Sequence, residues 1–261
     1  MYVLCTSFFL IAIALALPAT ADLDVDRGIA IVKEAHQRDS GWGDSISDFT
    51  MILRNKHGHE VMRQLRTWVL EGNDDGDKSL IVFDDPKDVK GVAVLTYSHG
   101  ENADDQWLYL PALKRVKRIA AKNRSGPFMG SEFAYDDLGS QELERYTYRF
   151  EREDTLNGID CNVVERLPVV GKSGYVRQLV WYDKEHYRLQ QVEYYNRKNN
   201  LIKTLTATMY EQYNDKYWRA RVLQMENHKS GKSTEVKRGA FKFGNGLSER
   251  DFDPNSLARA R

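Results

Sequence analysis

Apolar and polar residues alternate along most of the chain beyond Trp42, a pattern typical of strands with one buried face and one solvated face. In the first such segment, Phe49, Met51 and Leu53 share one face. Segments of this kind, separated by turn residues, predict strands at 46–54, 60–70, 79–83, 89–97, 106–110, 113–119, 146–152, 161–167, 175–182, 189–195, 201–213, 218–226 and 234–243. The sequence therefore predicts a long antiparallel meander with one apolar face, in a single domain.

Two segments illustrate how far the pattern extends. In the strand predicted at 201–213, an apolar face is formed by Leu201, Leu205, Ala207 and Met209, opposite a row of threonines. The dipeptide Asn157-Gly158 predicts a tight hairpin turn, because both residues tolerate positive φ.

One helix is predicted, at residues 22–38. Asp22 or Asp24 can cap its first turn, and Ile29 and Val32 share an apolar face before Ser40-Gly41 ends it. The chain is thus predicted to be mainly β (α+β).

The first 21 residues carry no charge, and their apolar core is too short to span a bilayer comfortably, since spanning takes about 20 residues. Pro18 and the small residues that follow predict a signal peptide at 1–21, cleaved near Ala21, followed by one domain at 22–261. We expect an exported, soluble protein. Removing that segment leaves Cys161 as the one cysteine, expected to be a small buried residue.

Charge excludes one broad class of function. The 38 basic and 38 acidic residues cancel, which argues against general nucleic-acid binding. Aromatic residues are numerous, with 14 Tyr, 10 Phe and 5 Trp, which favours strands or an aromatic-lined cavity.

Residues 125–143 interrupt the meander with an apolar loop that starts at Gly126-Pro127 and contains Phe128 and Met129. A loop this apolar is not expected to lie bare in water. We therefore expect it to plug the concave face of the sheet or to cover that face as a lid. The segment around 136–138 can begin a short helix that reaches 141–143.

Four blocks of sequence carry a resemblance to a known family: DQWLYLPAL at 105–113, RI at 118–119, SGPFMGSEF at 125–133 and YDDL at 135–138. Weaker matches are DVKG at 88–91 and DFD at 251–253 followed by Leu257. In these blocks the chain resembles the LolA-like outer membrane lipoprotein-sorting proteins. It is most similar to a branch often associated with inner-membrane transporters of the RND/MMPL type.

The resemblance implies an incomplete antiparallel β-barrel around helices, with a lid and an apolar cavity on its concave side. It also implies a periplasmic, non-enzymatic carrier of lipid or lipoprotein acyl chains, with transient membrane contact and a possible RND/MMPL-type partner. No cofactor is expected.

Seven residues are candidates for the lining of the acyl cavity and its lid: Trp107, Tyr109, Leu110, Phe128, Met129, Phe133 and Tyr135. Exposed hydrocarbon on a curved apolar sheet costs about 25 cal/mol per Å², so the concave side must be filled by the chain or by a ligand. The alternative is that each of these residues belongs to an ordinary core.

A basic cluster follows the aromatic strand, formed by Lys114, Arg115, Lys117, Arg118, Lys122 and Arg124. The first four are candidates for contact with lipid head groups, a membrane surface or an acidic partner. The alternative is a solvated strand face that discourages edge aggregation. A nucleic-acid site is not expected in an exported chain.

Acidic pairs at Asp104-Asp105 and Asp136-Asp137 raise the question of metal or acid–base chemistry. The six His residues are scattered, no Cys/His cluster exists, and the run at 73–77 lacks the Glu of a calcium loop. Turn and cap roles are expected, with no metal and no catalytic residue. Two other functions remain open: an accessory subunit of a transporter without a ligand cavity, and an enzyme acting on lipid or glycan through Asp105 and Asp137.

Overall fold

The computed structural model describes residues 19–72, 75–100, 102–140, 142–169 and 174–260. Most of the predicted signal peptide, residues 1–18, lies outside the described residues. Residues 73–74 of the calcium-loop-like run also lie outside them.

The described residues form one α-helix, α1 (Ala19–Arg38), and fourteen strands. The strands are β1 (Asp44–Arg54), β2 (Glu60–Leu70), β3 (Lys78–Asp85), β4 (Ala93–Tyr97), β5 (Asp105–Leu110), β6 (Arg115–Arg118), β7 (Tyr146–Leu156), β8 (Ile159–Pro168), β9 (Arg177–Asp183), β10 (Leu189–Tyr195), β11 (Leu201–Tyr213), β12 (Tyr217–Asn227), β13 (Lys232–Arg238) and β14 (Lys242–Phe243). Short 3-10 helices lie at Pro111–Leu113, Ala121–Asn123, Phe128–Gly130, Tyr135–Leu138, Leu143–Arg145, Glu249–Phe252 and Leu257–Arg259.

All fourteen strands join one antiparallel sheet in the order β6-β5-β4-β3-β2-β1-β13-β12-β11-β10-β9-β8-β7, with β14 paired to the start of β1. Two meanders, β1 to β6 and β7 to β13, meet where β1 pairs with β13, for example at Met51 and Val236. The sheet is curved and is not closed into a barrel, because β6 and β7 are its two edges. The predicted fold class, an incomplete antiparallel barrel with helical structure on its concave side, is confirmed.

The element bounds follow the sequence pattern closely, with three differences. The strand predicted at 89–97 begins only at Ala93, because Val89 and its neighbours form a turn. The segment predicted at 234–243 is split into β13 and β14. The helix starts at Ala19, so Asp22 lies in its first turn and does not cap it.

The hairpin turn between β7 and β8 is confirmed at Asn157-Gly158, where φ is 52° and 81°. Met209 departs from the pattern of β11: its φ is 55°, it has no partner on β12, and its side chain is 70% exposed. The prediction that Met209 shares the apolar face of this strand was therefore wrong, because its left-handed backbone conformation interrupts the alternation of the strand at this residue.

The main core lies on the concave face. Helix α1 packs there against β7 and β8, and its Ile31 and Val32 are buried with Phe150. Gly28 allows this approach: a Cβ at this position would lie 2.6 Å from the backbone nitrogen of Phe150. The helix therefore lies directly on the backbone of β7.

A second core lies on the convex face of β2 to β6, beneath the C-terminal residues 247–260. Phe252 and Leu257 are buried there against Val82 and Leu95. Cys161 belongs to a third, smaller cluster; it is fully buried and burial raises its pKa to about 11, so its predicted role as a small core residue is confirmed.

Candidate functional site

The two edges of the sheet are connected by the crossover segment, residues 119–145, of which 141 lies outside the described residues. It leaves edge strand β6, passes over the concave face and returns to edge strand β7. Its first part forms a small hairpin closed by a bridge between Pro127 and Ala134, the crossover hairpin (residues 127–134). The expected short helix after it is present as Tyr135–Leu138.

The crossover hairpin inserts an aromatic side chain into the concave core. Phe128 is 1% exposed, and its ring centroid lies 5.7 Å from that of Phe83 and 5.5 Å from that of Tyr135. Met129 is half-buried, and its carbonyl accepts a hydrogen bond from Nη1 of Arg63 on β2. This part of the chain plugs one end of the concave face, as one of the two sequence-based alternatives expected.

Polar contacts attach the tip of the crossover hairpin to the opposite wall of the sheet. The backbone nitrogen of Glu132 donates to Thr234 Oγ1 at 2.9 Å, and its carbonyl accepts from Lys203 Nζ at 2.5 Å. Asn227 Nδ2 donates to its carboxylate at 2.6 Å. The hairpin thus contacts β11, β12 and β13, near the middle of the sheet.

The other end of the concave face is hollow. A groove of about 850 Å³ lies between α1, strands β1 and β2, and strands β10 to β12. Its apolar lining includes Val32, Ala35, Phe49, Val69, Leu143, Leu189, Leu205, Ala207 and Leu223. Such a volume lies within the range of roughly 300–1,000 Å³ that ligand pockets occupy.

Charged side chains surround the apolar part of the groove. Arg188 pairs with Asp183, and Arg219 pairs with Asp39. Arg238 lies over the ring of Phe49, with Cζ 5.3 Å from its centroid; burial, followed by repulsion from Arg219, lowers the pKa of Arg238 to about 10. This guanidinium therefore stays charged at neutral pH.

Acidic residues lie where the crossover segment meets the groove. Burial raises the pKa of Asp77 to about 7, and repulsion from Glu142 and Glu71 adds to the rise. The backbone nitrogen of Asp77 donates to Ser140 Oγ at 3.3 Å, so this residue lies beside the crossover segment.

A smaller cavity of about 160 Å³ lies under the crossover segment, against β8 to β10. It adjoins the groove, because Leu189, Leu205 and Leu223 line both. Its walls also carry Arg166 and Asp137. The concave face therefore contains two adjoining spaces: a large, mainly apolar groove and a small cavity with charged and apolar walls.

The acidic pairs singled out in the sequence serve as partners of other residues. Asp104 is buried and accepts from Arg145 Nη1 at 2.7 Å, and burial raises its pKa. Asp105 pairs with Arg118. Burial raises the pKa of Asp136 to about 6, an effect opposed by Arg124, whose Nε lies 3.6 Å from Asp136 Oδ1.

Asp137 accepts hydrogen bonds from the backbone nitrogen of Ala134 at 2.7 Å and from the hydroxyl of Tyr175 at 3.4 Å. It lines the small cavity, whereas Asp105 does not. Among the described residues, no group of three or more His, Cys, Asp or Glu side chains could hold a metal ion.

The structure separates the predicted lining residues. Leu110, Phe128, Met129, Phe133 and Tyr135 belong to the concave core, whereas Trp107 and Tyr109 lie on the other face of β5, under the C-terminal residues 247–260. Trp107 and Tyr109 are therefore withdrawn from the lining, because side chains alternate along a strand and Leu108 and Leu110 take the concave side. Of the seven, Phe133 lines the small cavity and none lines the groove.

Four of the basic candidates, Lys114, Arg115, Lys117 and Arg118, are exposed on or next to edge strand β6. Lys122 is also exposed, but Arg124 is buried, with 5% exposure, and donates to the carbonyl of Asp104. Arg124 thus belongs to the interior and not to the surface cluster.

Sequence reasoning missed the residues that line the groove. The apolar ones come from α1, strands β1, β2 and β10 to β12 and the crossover segment, and most are aliphatic residues that look like ordinary core residues in the sequence. A usable signal was the helix, since Val32 and Ala35 recur on one face of α1. In the part of the chain that the structure describes, no helix is both long and apolar enough to cross a membrane.

The chain is similar to a known protein family and to solved structures. A family model described as "Uncharacterized protein" matches residues 75–259. No curated protein matches the chain.

Solved structures share the fold, and three of them are described next. One is described as an outer membrane lipoprotein-sorting protein domain from Vibrio parahaemolyticus; it is 52% identical, covers 90% of this chain and 100% of its own, and superposes with a TM-score of 0.88. A DUF1329 family protein from Desulfovibrio piger is 29% identical over 90% of this chain and 99% of its own, with a TM-score of 0.85. A LolA superfamily protein from Nitrosomonas europaea shares the fold alone, at 17% identity over 86% of this chain and 96% of its own, with a TM-score of 0.69. With the predicted sequence blocks and the open barrel, these matches show that the chain belongs to the LolA-like family of outer membrane lipoprotein-sorting proteins.

Proposed function

We propose that this protein is a non-enzymatic periplasmic carrier that holds the acyl chains of a lipid or lipoprotein in its concave groove. The single observation that carries the proposal is the groove of about 850 Å³ between α1 and the sheet. The similarity to a protein described as an outer membrane lipoprotein-sorting domain supports it.

The groove suits a hydrocarbon ligand because its floor is aliphatic. Leu189, Leu205 and Leu223 lie on three adjacent strands and form one continuous apolar surface, opposite Val32 and Ala35 of α1. Each methylene buried on such a surface contributes roughly 0.8 kcal/mol. An acyl chain of ordinary length would thus bind without any directional contact.

The crossover segment supplies a means of opening. Leu143 lies in the groove, whereas Phe128 of the same segment lies in the core at the other end of the concave face. A movement of the segment would therefore change the groove and the core together. Transfer needs no chemistry, only a difference in affinity between donor, carrier and acceptor.

The route of the cargo is the finer part of the proposal. The chain would be exported with its signal peptide cleaved near Ala21, which leaves residues 22–261 as the carrier domain. This domain would take cargo from an inner-membrane transporter of the RND/MMPL type towards the outer membrane. The exposed basic side chains of β6 would contact head groups, an anionic membrane surface or the partner.

A matched pair of substitutions on α1 tests the groove. Ala35→Trp places an indole in the groove, whereas Lys33→Trp places the same group on the exposed side of the helix. After delipidation, we expect Ala35→Trp to weaken uptake of a fluorescent fatty-acyl probe by at least about tenfold, because loss of two buried methylenes already costs about 1.6 kcal/mol.

Lys33→Trp should bind the probe like the parent protein. Native mass spectrometry of the purified protein should also detect a co-purified lipid. Delipidated protein without saturable probe uptake would contradict the carrier function and would leave an accessory role in the envelope.

A further inference from the structure

A buried arginine faces the small cavity without a carboxylate partner. Arg166 of β8 is 6% exposed, and its Nε donates to Gln178 Oε1 at 2.7 Å. Its Cζ lies 4.7 Å from the centroid of the Tyr146 ring. Its two terminal nitrogens make no hydrogen bond or ion pair with any residue that the structure describes, and the side chain lines the cavity.

The other charges at this cavity are matched within the protein. Arg124 lies beside Asp136, and Arg145 is bonded to Asp104. Asp137 is held by Ala134 and Tyr175, and its carboxylate is attracted more strongly by Lys203 than by Arg166.

Lys203 completes this network, since its Nζ lies 3.3 Å from the hydroxyl of Tyr175. Three cations (Arg124, Arg145 and Arg166) and two carboxylates (Asp136 and Asp137) line the cavity, and the adjoining Lys203 and Asp104 add one charge of each sign. The surplus positive charge is that of Arg166. A buried cation without a partner is costly, so a site of this kind favours an anion from outside the chain.

The position of the cavity beside the groove indicates that the anion carries a hydrocarbon tail. The cavity shares Leu189, Leu205 and Leu223 with the large groove, so a molecule with its charged end beside Arg166 can extend a hydrocarbon tail over these three side chains. At about 160 Å³ the cavity holds roughly five waters at about 30 Å³ each, enough for a compact head group.

We propose that Arg166 binds the carboxylate of a long-chain fatty acid whose tail occupies the groove. This inference rests on the proposed carrier function and names its cargo class. A planar guanidinium can donate two parallel hydrogen bonds from its terminal nitrogens to the two oxygens of one carboxylate. A phosphate monoester fits less well, because its second negative charge would face Asp136 and Asp137, which line the same cavity.

A displacement assay separates the two levels of the proposal. The methyl ester of cis-parinaric acid serves as a fluorescent neutral reporter of the groove, and the competitors are hexadecanoate, methyl hexadecanoate and hexadecyl phosphate. We expect hexadecanoate to displace the reporter at a concentration at least about tenfold lower than methyl hexadecanoate, since one hydrogen-bonded ion pair contributes that much. Hexadecyl phosphate should be weaker than hexadecanoate.

Arg166→Gln should abolish the preference for the acid over the ester while the reporter still binds. Arg149→Gln is the matched control, because Arg149 lies on the adjacent strand with an exposed side chain paired to Glu165, and it should keep the preference. If Arg166→Gln fails to fold by circular dichroism, Arg166→Lys should still reduce the preference, since an ammonium loses the bidentate geometry.

The outcomes remain distinct. A reporter that does not bind at all contradicts the carrier function itself. A reporter that binds while the acid and the ester compete equally, or while Arg166→Lys retains the full preference, overturns the carboxylate site alone. Stronger displacement by hexadecyl phosphate would replace the fatty acid with a phosphate-bearing cargo.

Discussion

Phe83 of β3 and Phe128 of the crossover hairpin pack with their ring centroids 5.7 Å apart, and both side chains are almost completely buried. A residue from a connecting segment thus completes the core of the sheet. The plug and the groove occupy opposite ends of one concave surface, so the stability of the protein and the space for a ligand depend on the same segment.

Truncation of the Phe128 side chain should strongly destabilise the folded protein. We expect Phe128→Ala to lower the free energy of unfolding by about 3 to 5 kcal/mol, as for other buried Phe to Ala changes. Met129→Ala is the comparison, since Met129 is only half-buried and should cost less. Urea unfolding followed by tryptophan fluorescence measures both. Equal and small effects would mean that the hairpin detaches from the core in solution.

Alternation predicted the antiparallel meander, because it is a strong signal in long strands with one buried face, whereas the incomplete barrel was implied by the family resemblance. It also located the crossover segment, whose apolar residues are unusual for a loop. It misplaced Trp107 and Tyr109 because both faces of β5 are covered, the convex one by Phe252 and Leu257 from the far end of the chain. Local alternation does not say which of two covered faces is concave.

The close approach of α1 to β7 gives a test with a reversed sign. Replacing Gly by Ala within a helix normally stabilises it by roughly 0.5–1 kcal/mol. At Gly28 we expect the opposite, because the new methyl group would lie 2.6 Å from the backbone nitrogen of Phe150 and 2.9 Å from Cα of Arg149. Thermal unfolding of Gly28→Ala should show a lower Tm than the parent. A higher Tm would mean that α1 does not lie on β7 as described.

The pKa of Asp77 predicts a pH dependence of stability. In the folded chain it is raised from 3.8 to about 7, so between these values the folded state binds more protons than the unfolded state. The free energy of unfolding should therefore fall as the pH rises through this interval. The stability that comes from keeping Asp77 protonated is complete only below the interval.

Asp77→Asn should remove this part of the dependence and stabilise the protein at pH 8 by about 1 to 3 kcal/mol. This is less than the roughly 4 kcal/mol that about 1.4 kcal/mol per pKa unit would give, because Asp77 is only half-buried and solvent screens its charge. Denaturant unfolding of both proteins from pH 4 to pH 8 measures it. Parallel pH profiles for the two proteins would exclude Asp77 as the source.

The basic edge strand predicts salt-dependent surface binding. Arg115 and Lys117 are exposed and make no ion pair with a described residue, whereas Arg118 pairs with Asp105. Arg115→Glu with Lys117→Glu should weaken binding to vesicles containing anionic lipid, and the effect should shrink at high salt as charges are screened.

Lys229→Glu with Lys232→Glu makes the same change in net charge at the exposed end of the β12–β13 hairpin and serves as the control. Vesicle co-sedimentation at low and high salt distinguishes the two pairs. An equal loss of vesicle binding in both double variants would mean that the net charge of the protein, and not the position of β6, causes the binding.

The candidate site could be predicted only in part from the sequence. The polar residues of the small cavity are far apart in the chain, and Arg166 follows Glu165 in β8, where a charged pair resembles an ordinary solvated part of a strand. Its significance depends on which charges the fold places around it, and only the three-dimensional pairing of Arg145 with Asp104 and of Arg124 with Asp136 leaves Arg166 in surplus.

The pairing of β1 with β13 has a consequence for the order of assembly. Every other neighbouring pair along the sheet path joins strands that follow each other in the chain, and each can form as a local hairpin. The junction at Met51 and Val236 joins the two ends of the protein and requires closure of a very long loop. We therefore expect two half-sheets to form early and independently, and the hollow interior to exist only once this last seam has closed.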